Sequence, residues 1–167
     1  LGVDALADAL LDLAIHFREA DDLIEQMLST PNKNIQRFKQ KLSKLQHSRR
    51  FIDWRGATRF SRELAMMLQG VKSSVDDPLT GMELVATFYE ADKTIFEMCD
   101  DSSGEIGDVF RIDAKELFLH YASRYPEKQK IADIILRVIQ KDDFGIRDTL
   151  IDCAAECLPE PVIRTMI

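Results

Sequence analysis

Apolar residues recur at three- and four-residue intervals along most of the chain, the spacing of helices with one buried face. Leu6, Leu10, Leu13 and Phe17 mark a first helix over Val3 to His16, with Asp4, Asp8 and Asp12 on another face. A second helix follows from Ala20 to Leu28. Thr30-Pro31 opens a third, Thr30 as N-cap and Pro31 at the first helical position, where its missing N–H is no loss. Its stripe is Ile35, Phe38, Leu42 and Leu45, and Lys33, Arg37 and Lys44 fall on the opposite side, predicted to face solvent. Phe60, Leu64, Met67, Leu68 and Val71 predict a fourth helix. Asp77-Pro78 repeats the cap-plus-proline start, and Leu84, Phe88, Ala91, Ile95 and Met98 form the fifth stripe.

Ile106, Phe110, Ala114, Leu117 and Tyr121 predict a sixth helix, and Ile131, Ile134, Ile135 and Val138 a seventh after Pro126. Ile146, Leu150, Cys153, Ala154 and Cys157 predict an eighth, before Pro159-Glu160-Pro161 breaks the chain. No alternating strand-like run competes, and only 7 glycines and 5 prolines interrupt the pattern. The expected fold is all-α, a single domain over residues 1–167. Small residues at Ala86, Ala122 and Ala154 recur at hairpin-repeat intervals, which predicts stacked helical hairpins in an α-α superhelix, with a compact bundle as the alternative. A chain that begins at Leu1 without methionine and stops inside an apolar helix reads as a piece of something longer.

Charge changes this picture in one respect. The net charge is −7, yet residues 31–62 hold ten Lys or Arg against Asp53 alone, a segment of +9 that leaves −16 for the remainder. Such segregation steers an acidic partner or pairs the basic part with the chain's own acids. No run of apolar residues is long enough to span a membrane, and Asp4, Asp8 and Asp12 interrupt the N-terminal one. Three cysteines, Cys99, Cys153 and Cys157, suit free thiols in a reducing compartment, so a cytoplasmic location is expected.

The candidate chemistry is sparse. Cys99-Asp-Asp-Ser-Ser-Gly-Glu-Ile-Gly-Asp-Val-Phe110 has the glycine of a calcium loop but lacks its first aspartate and last glutamate. Ser102-Ser103-Gly104-Glu105 fits a capping box, with the Ser102 hydroxyl accepting from the Glu105 N–H. Asp100, Asp101, Ser102, Gly104 and Glu105 are therefore read as a helix-cap signature, with the Asp100-Asp101 pair only partly explained. Cys153 and Cys157 lie at i, i+4 on an apolar stripe and are read as buried thiols, since no other Cys or His is near. Asp143-Phe144-Gly145 stands without the other kinase motifs, and no phosphate loop or His-Glu-x-x-His occurs. No catalytic residue, metal or cofactor is expected.

Arg49-Arg50-Phe51-Ile52-Asp53-Trp54-Arg55-Gly56-Ala57-Thr58-Arg59-Phe60 interleaves basic and aromatic residues. Phe51, Trp54 and Phe60 are read first as a buried interhelical corner. The same stretch supplies the candidate partner-binding residues Arg49, Arg50, Trp54, Arg55 and Arg59, and resembles surfaces that stack single-stranded nucleic acid.

Ser48 to Arg55, Asp77-Pro78, Asp100 to Phe110, and Phe144-Gly145-Ile146-Arg147-Asp148 together resemble an uncharacterised family of all-helical bacterial proteins. The resemblance spans most of the chain and implies an all-helical fold, with no assigned activity. The Asp-Asp-Ser-x-Gly-x-Ile-Gly piece also resembles helical-repeat regions that follow SWIM-type zinc fingers. No Cys-x-Cys finger is present here, so neither zinc nor nucleic-acid function carries over.

Three functions follow as expectations. The first is a non-catalytic helical-repeat module that binds another protein. The second is a nucleic-acid-associated module using the basic segment 33–62, which requires Trp54 and the arginines to reach solvent. The third is an enzyme using Asp100, Asp101 and Glu105, which requires them to converge in a pocket.

Overall fold

The computed structural model describes residues 2–48 and 50–166, and at 18, 19 and 26 the backbone only. Among the described residues the chain is all helical, with no strand. In order, the helices are α1 (Val3–His16), α2 (Arg18–Leu28), α3 (Pro31–Gln46), α4 (Trp54–Ser74), α5 (Pro78–Tyr89) and α6 (Asp92–Glu97). They are followed by α7 (Glu105–Asp108), a π-helical stretch (Val109–Ala114), α8 (Lys115–Arg124), α9 (Lys128–Ile139), α10 (Thr149–Cys157) and α11 (Glu160–Ile163), which ends in a 3₁₀ turn (Arg164–Met166).

Three hairpins stack from α3 onward. α3 packs on α4, α5 on α8, and α9 on α10. In one layer α3 meets α6 and α5 meets α9; in the other α4 meets α7 and the π stretch, and α8 meets α10. The predicted stripes of α4, α5, α8 and α9 are the residues this stack buries. The predicted fifth helix is in fact two, because the chain turns at Glu90 and Ala91 before α6, yet its stripe residues stay in the core. The predicted sixth helix is α7, the π stretch and α8 run together, and Pro159-Glu160-Pro161 starts the short α11.

α1 departs from expectation. It forms over the predicted residues but buries none of them: α2 is its main packing partner, and Leu6, Leu10, Leu13 and Phe17 stay exposed.

Aspartates start several helices. Thr30 caps α3 at the Lys33 N–H as predicted, Asp53 accepts from the Gly56 N–H at 3.1 Å to start α4, and Asp77 accepts from the Thr80 N–H at 2.8 Å to start α5. The centre is aromatic: Phe110 in the π stretch contacts Phe88, Tyr89 and Phe96, with ring centroids 4.7, 5.8 and 5.7 Å away. The Tyr89 hydroxyl donates to the Phe110 carbonyl at 2.7 Å. On α8, the other arm of the same hairpin, the Tyr121 hydroxyl lies 3.1 Å from both the Val71 and Val75 carbonyls at the end of α4. Gly81 makes this possible, because a Cβ there would stand 2.5 Å from the Tyr121 ring.

One ion pair is wholly inside. Asp92 is 0% exposed and Arg147 4%. The Arg147 guanidinium donates from Nε to Asp92 Oδ2 at 2.8 Å and from Nη2 to Oδ1 at 2.6 Å, and its Nη1 donates to the Val138 carbonyl at 3.0 Å. Its hydrogen bonds to Asp92 raise the pKa of Arg147 further, so it stays charged.

Removing one partner leaves the other charge buried and uncompensated, so Arg147→Met is expected to destabilise by about 3–5 kcal/mol in urea unfolding, and Asp92→Leu/Arg147→Met to recover a large part of that loss. A double change as damaging as the single one would show that the pair is not the source of the effect.

Stability should also fall in alkali. Burial pushes the Cys153 thiol and the Tyr121 phenol each up to about 12. The folded chain then holds protons that the unfolded chain releases, so their contribution is complete below pH about 9 and is lost as pH rises toward 12. The melting temperature is expected to be flat from pH 7 to about 8.5 and to decline above that.

Candidate functional site

The two longest stretches behind the family resemblance meet in space. The Ile52 N–H donates to the Met98 carbonyl at 2.8 Å and the Asp100 N–H donates to the Ile52 carbonyl at 2.9 Å, a parallel bridge between Ile52 and Cys99. This bridge fixes the entry of α4 against the loop before α7. Gly56 packs closely on it, since a Cβ there would stand 2.8 Å from the Ile52 side chain.

On the loop side every carboxylate but one is spent on backbone. Asp100 Oδ1 accepts from the Ser102 N–H at 3.1 Å. Asp101 accepts from the Ile106 N–H at its Oδ1 and from the Gly107 N–H at its Oδ2, each at 2.9 Å. These are the second and third residues of α7, so Asp101 caps this helix, and the Ser102–Glu105 capping box does not form. The reason is Gly104, which occupies the N-cap position in the left-handed region with φ 79° and ψ −1°, placing a turn between Ser102 and the helix. Ser102 is exposed, and Glu105 is the half-buried first residue of α7 with its Oε2 buried and unpartnered.

Asp100, Asp101 and Glu105 do not converge on a pocket, and no cluster of metal-ligating residues exists among the described residues. Burial, and next the charges of Asp101 and Asp100, push the adjacent Cys99 thiol up to about 11, which makes it a poor nucleophile. Cys153 is buried as expected, and Cys157 is half-buried.

The other side of the bridge faces water. Phe51 is 62% exposed and Trp54 58%, so the buried-corner reading holds only for Phe60. The aromatic pair stays outside because Ile52, between them, is the residue that turns inward to the core. Arg50 and Arg55 are exposed, and the Arg55 guanidinium lies 4.7 Å from the centre of the Trp54 ring. Arg59 is one turn further along α4, 3.4 Å from Glu63. Arg49 lies outside the described residues. Trp54, Arg50 and Arg55 thus form one solvent-facing patch, while Arg59 belongs to the groove between α3 and α4.

Sequence reasoning missed the role of the fourth stretch of the resemblance. Asp142 accepts from the Phe144 N–H at 3.0 Å and the Arg147 N–H at 3.1 Å, Gly145 takes φ 68°, and this turn delivers Arg147 to Asp92. Gly145, the residue type that a left-handed turn favours, was the available signal.

A family model, a family of unknown function (DUF6880), matches residues 1–166, so the chain belongs to that family. No curated protein and no solved structure matches it.

Because Asp101 carries the cap, Asp101→Ala is expected to destabilise by about 0.5–2 kcal/mol. Ser102→Ala should stay within about 0.5 kcal/mol. Calcium, magnesium and chelators should leave the melting temperature unchanged. A calcium-dependent rise, absent in Asp101→Asn, would instead make the loop a cation site. A thiol reagent should modify Cys157 slowly and leave Cys99 and Cys153 untouched until the chain unfolds.

Proposed function

We propose that this member of the family is a non-catalytic helical-repeat module that binds another protein, working in a reducing compartment such as the bacterial cytoplasm. The observation that carries the reading is the pair Phe51 and Trp54, more than half exposed beside Arg50 and Arg55 on a backbone held by the Ile52 bridge. Trp and Arg are the side chains that most often anchor protein interfaces, and a rigid base lowers the entropy lost when they are covered. The packed helices supply that base. Three unpaired cysteines suit the compartment.

A nucleic-acid role is the second reading, favoured by the same exposure and by the Arg55–Trp54 stack, a surface on which a base could lie. The charge balance weighs against it, since the chain carries −7 overall. A few exposed cations give binding that salt removes.

Affinity capture with the wild-type chain and with Phe51→Ala/Trp54→Ala separates these readings from a purely structural patch. The double change touches exposed side chains and should leave stability within about 0.5 kcal/mol per site. It is expected to lose a partner that the wild type retains. Anisotropy with labelled single-stranded and duplex oligonucleotides should show no binding at about 150 mM salt, where exposed charges are screened beyond about 8 Å. Submicromolar binding there, abolished by Arg50→Ala/Arg55→Ala, would give the function to the second reading.

A further inference from the structure

The N-terminal hairpin is joined to the stack by charge more than by burial. α1 buries nothing, and α2 leaves Leu23, Met27 and Leu28 exposed. Glu25 pairs with Arg37, and Asp22 with Lys41 at 3.1 Å, and both pairs reach solvent. Exposed pairs of this kind are weak and weaken further with salt. The expected solvation of Arg37 is therefore only half met, because Glu25 covers it.

Beside these contacts a cavity of about 300 Å³ opens between α3 and α4, with Asp22 on its third side. Its floor is apolar, Phe60, Leu64 and Met67; on the α3 side its lip is basic, Lys41 and Lys44, and on the α4 side Arg59 is paired with the acid Glu63. A second hollow shares Lys41, Met66 and Met67 and prolongs the groove past Arg37. Arg37, Lys41 and Lys44 stand at i, i+4 and i+7, so one edge of the groove is a row of three cations. α2 answers two of them with acids three residues apart. Lys44 has no ion-pair partner among the described residues, and Arg37 Nη1 is buried without a hydrogen bond.

We propose that the α3–α4 groove is a docking site for an acidic amphipathic helix of a partner protein, with the chain's own α2 as a displaceable occupant. Among the described side chains, α2 meets the first two cations with Glu25 and Asp22 and places no acid on the third. A helix carrying acids at the same spacing and an apolar residue for the floor satisfies the whole groove, as helix-in-groove recognition requires. The apolar floor favours such a helix over a nucleic-acid strand. This site is separate from the Phe51–Trp54 patch and does not rest on its reading.

The probe is a fluorescent peptide with the sequence of residues 18–28, titrated by anisotropy at low salt into the full chain and its variants. Asp22→Asn/Glu25→Gln releases the resident helix while leaving α3 and α4 unchanged and is expected to bind the peptide about fivefold more tightly than the wild type, as the open fraction rises. Adding Lys41→Glu/Lys44→Glu should abolish binding, and Phe51→Ala/Trp54→Ala should leave it unchanged. Equal affinity in wild type and Asp22→Asn/Glu25→Gln would overturn the proposal. So would binding that survives both lysine changes, or no binding up to about 1 mM peptide. Lysine-dependent binding of a single-stranded oligonucleotide where the peptide does not bind would overturn it in favour of nucleic acid.

Discussion

A carboxylate and a guanidinium fully removed from water must find each other, because neither can be left alone there. Asp92 at the start of α6 and Arg147 before α10 are 55 residues apart, and their two parallel hydrogen bonds admit only one relative placement of those elements. Arg147 also reaches the last turn of α9 through the Val138 carbonyl. The second hairpin is thereby locked to the third at a point where apolar packing alone would tolerate sliding. The Asp142 turn and the left-handed Gly145 exist in the service of this placement.

The same economy explains the acidic loop. A sequence with two adjacent aspartates, two serines and a glutamate invites a metal or an acid–base reading, but the carboxylates of Asp100 and Asp101 are consumed by backbone N–H groups. Asp53, Asp77, Asp101 and Asp142 each do this at a helix start or turn. A carboxylate engaged in this way has fewer lone pairs left to offer a ligand. What the loop contributes to the surface is indirect: by pairing with Ile52 it holds Phe51 and Trp54 in the open.

Helix periodicity made most of the fold legible, since the stripes of α4, α5, α8 and α9 are set by local spacing and became the core. Caps on Thr30 and Asp77 follow from neighbours three residues away, whereas the Asp53 cap was not read. What stayed hidden depends on distant chain. Nothing near Asp92 announces Arg147, and nothing near Trp54 says that Ile52 will take the inward position. Ser102 was chosen over Asp101 because the capping box counts residues and ignores the extra turn that Gly104 introduces. The uncovered stripe of α1 shows the opposite limit: amphipathicity marks a face able to be buried and does not supply the surface that buries it.

The π stretch from Val109 to Ala114 has a consequence for how the chain tolerates change in length. A π turn holds one residue more than the α turn it replaces, so the helices on either side keep their faces despite the added residue. Ile106 before it, Phe110 within it, and Leu117 and Tyr121 after it all point inward. Losing a single residue between 109 and 114 would turn this stretch into ordinary α-helix and keep both flanking faces in phase, whereas the same loss in the middle of α4 would rotate half of its stripe by about 100° out of the core. Relatives that differ by one residue in this helix are thus expected to differ here and to share everything on either side.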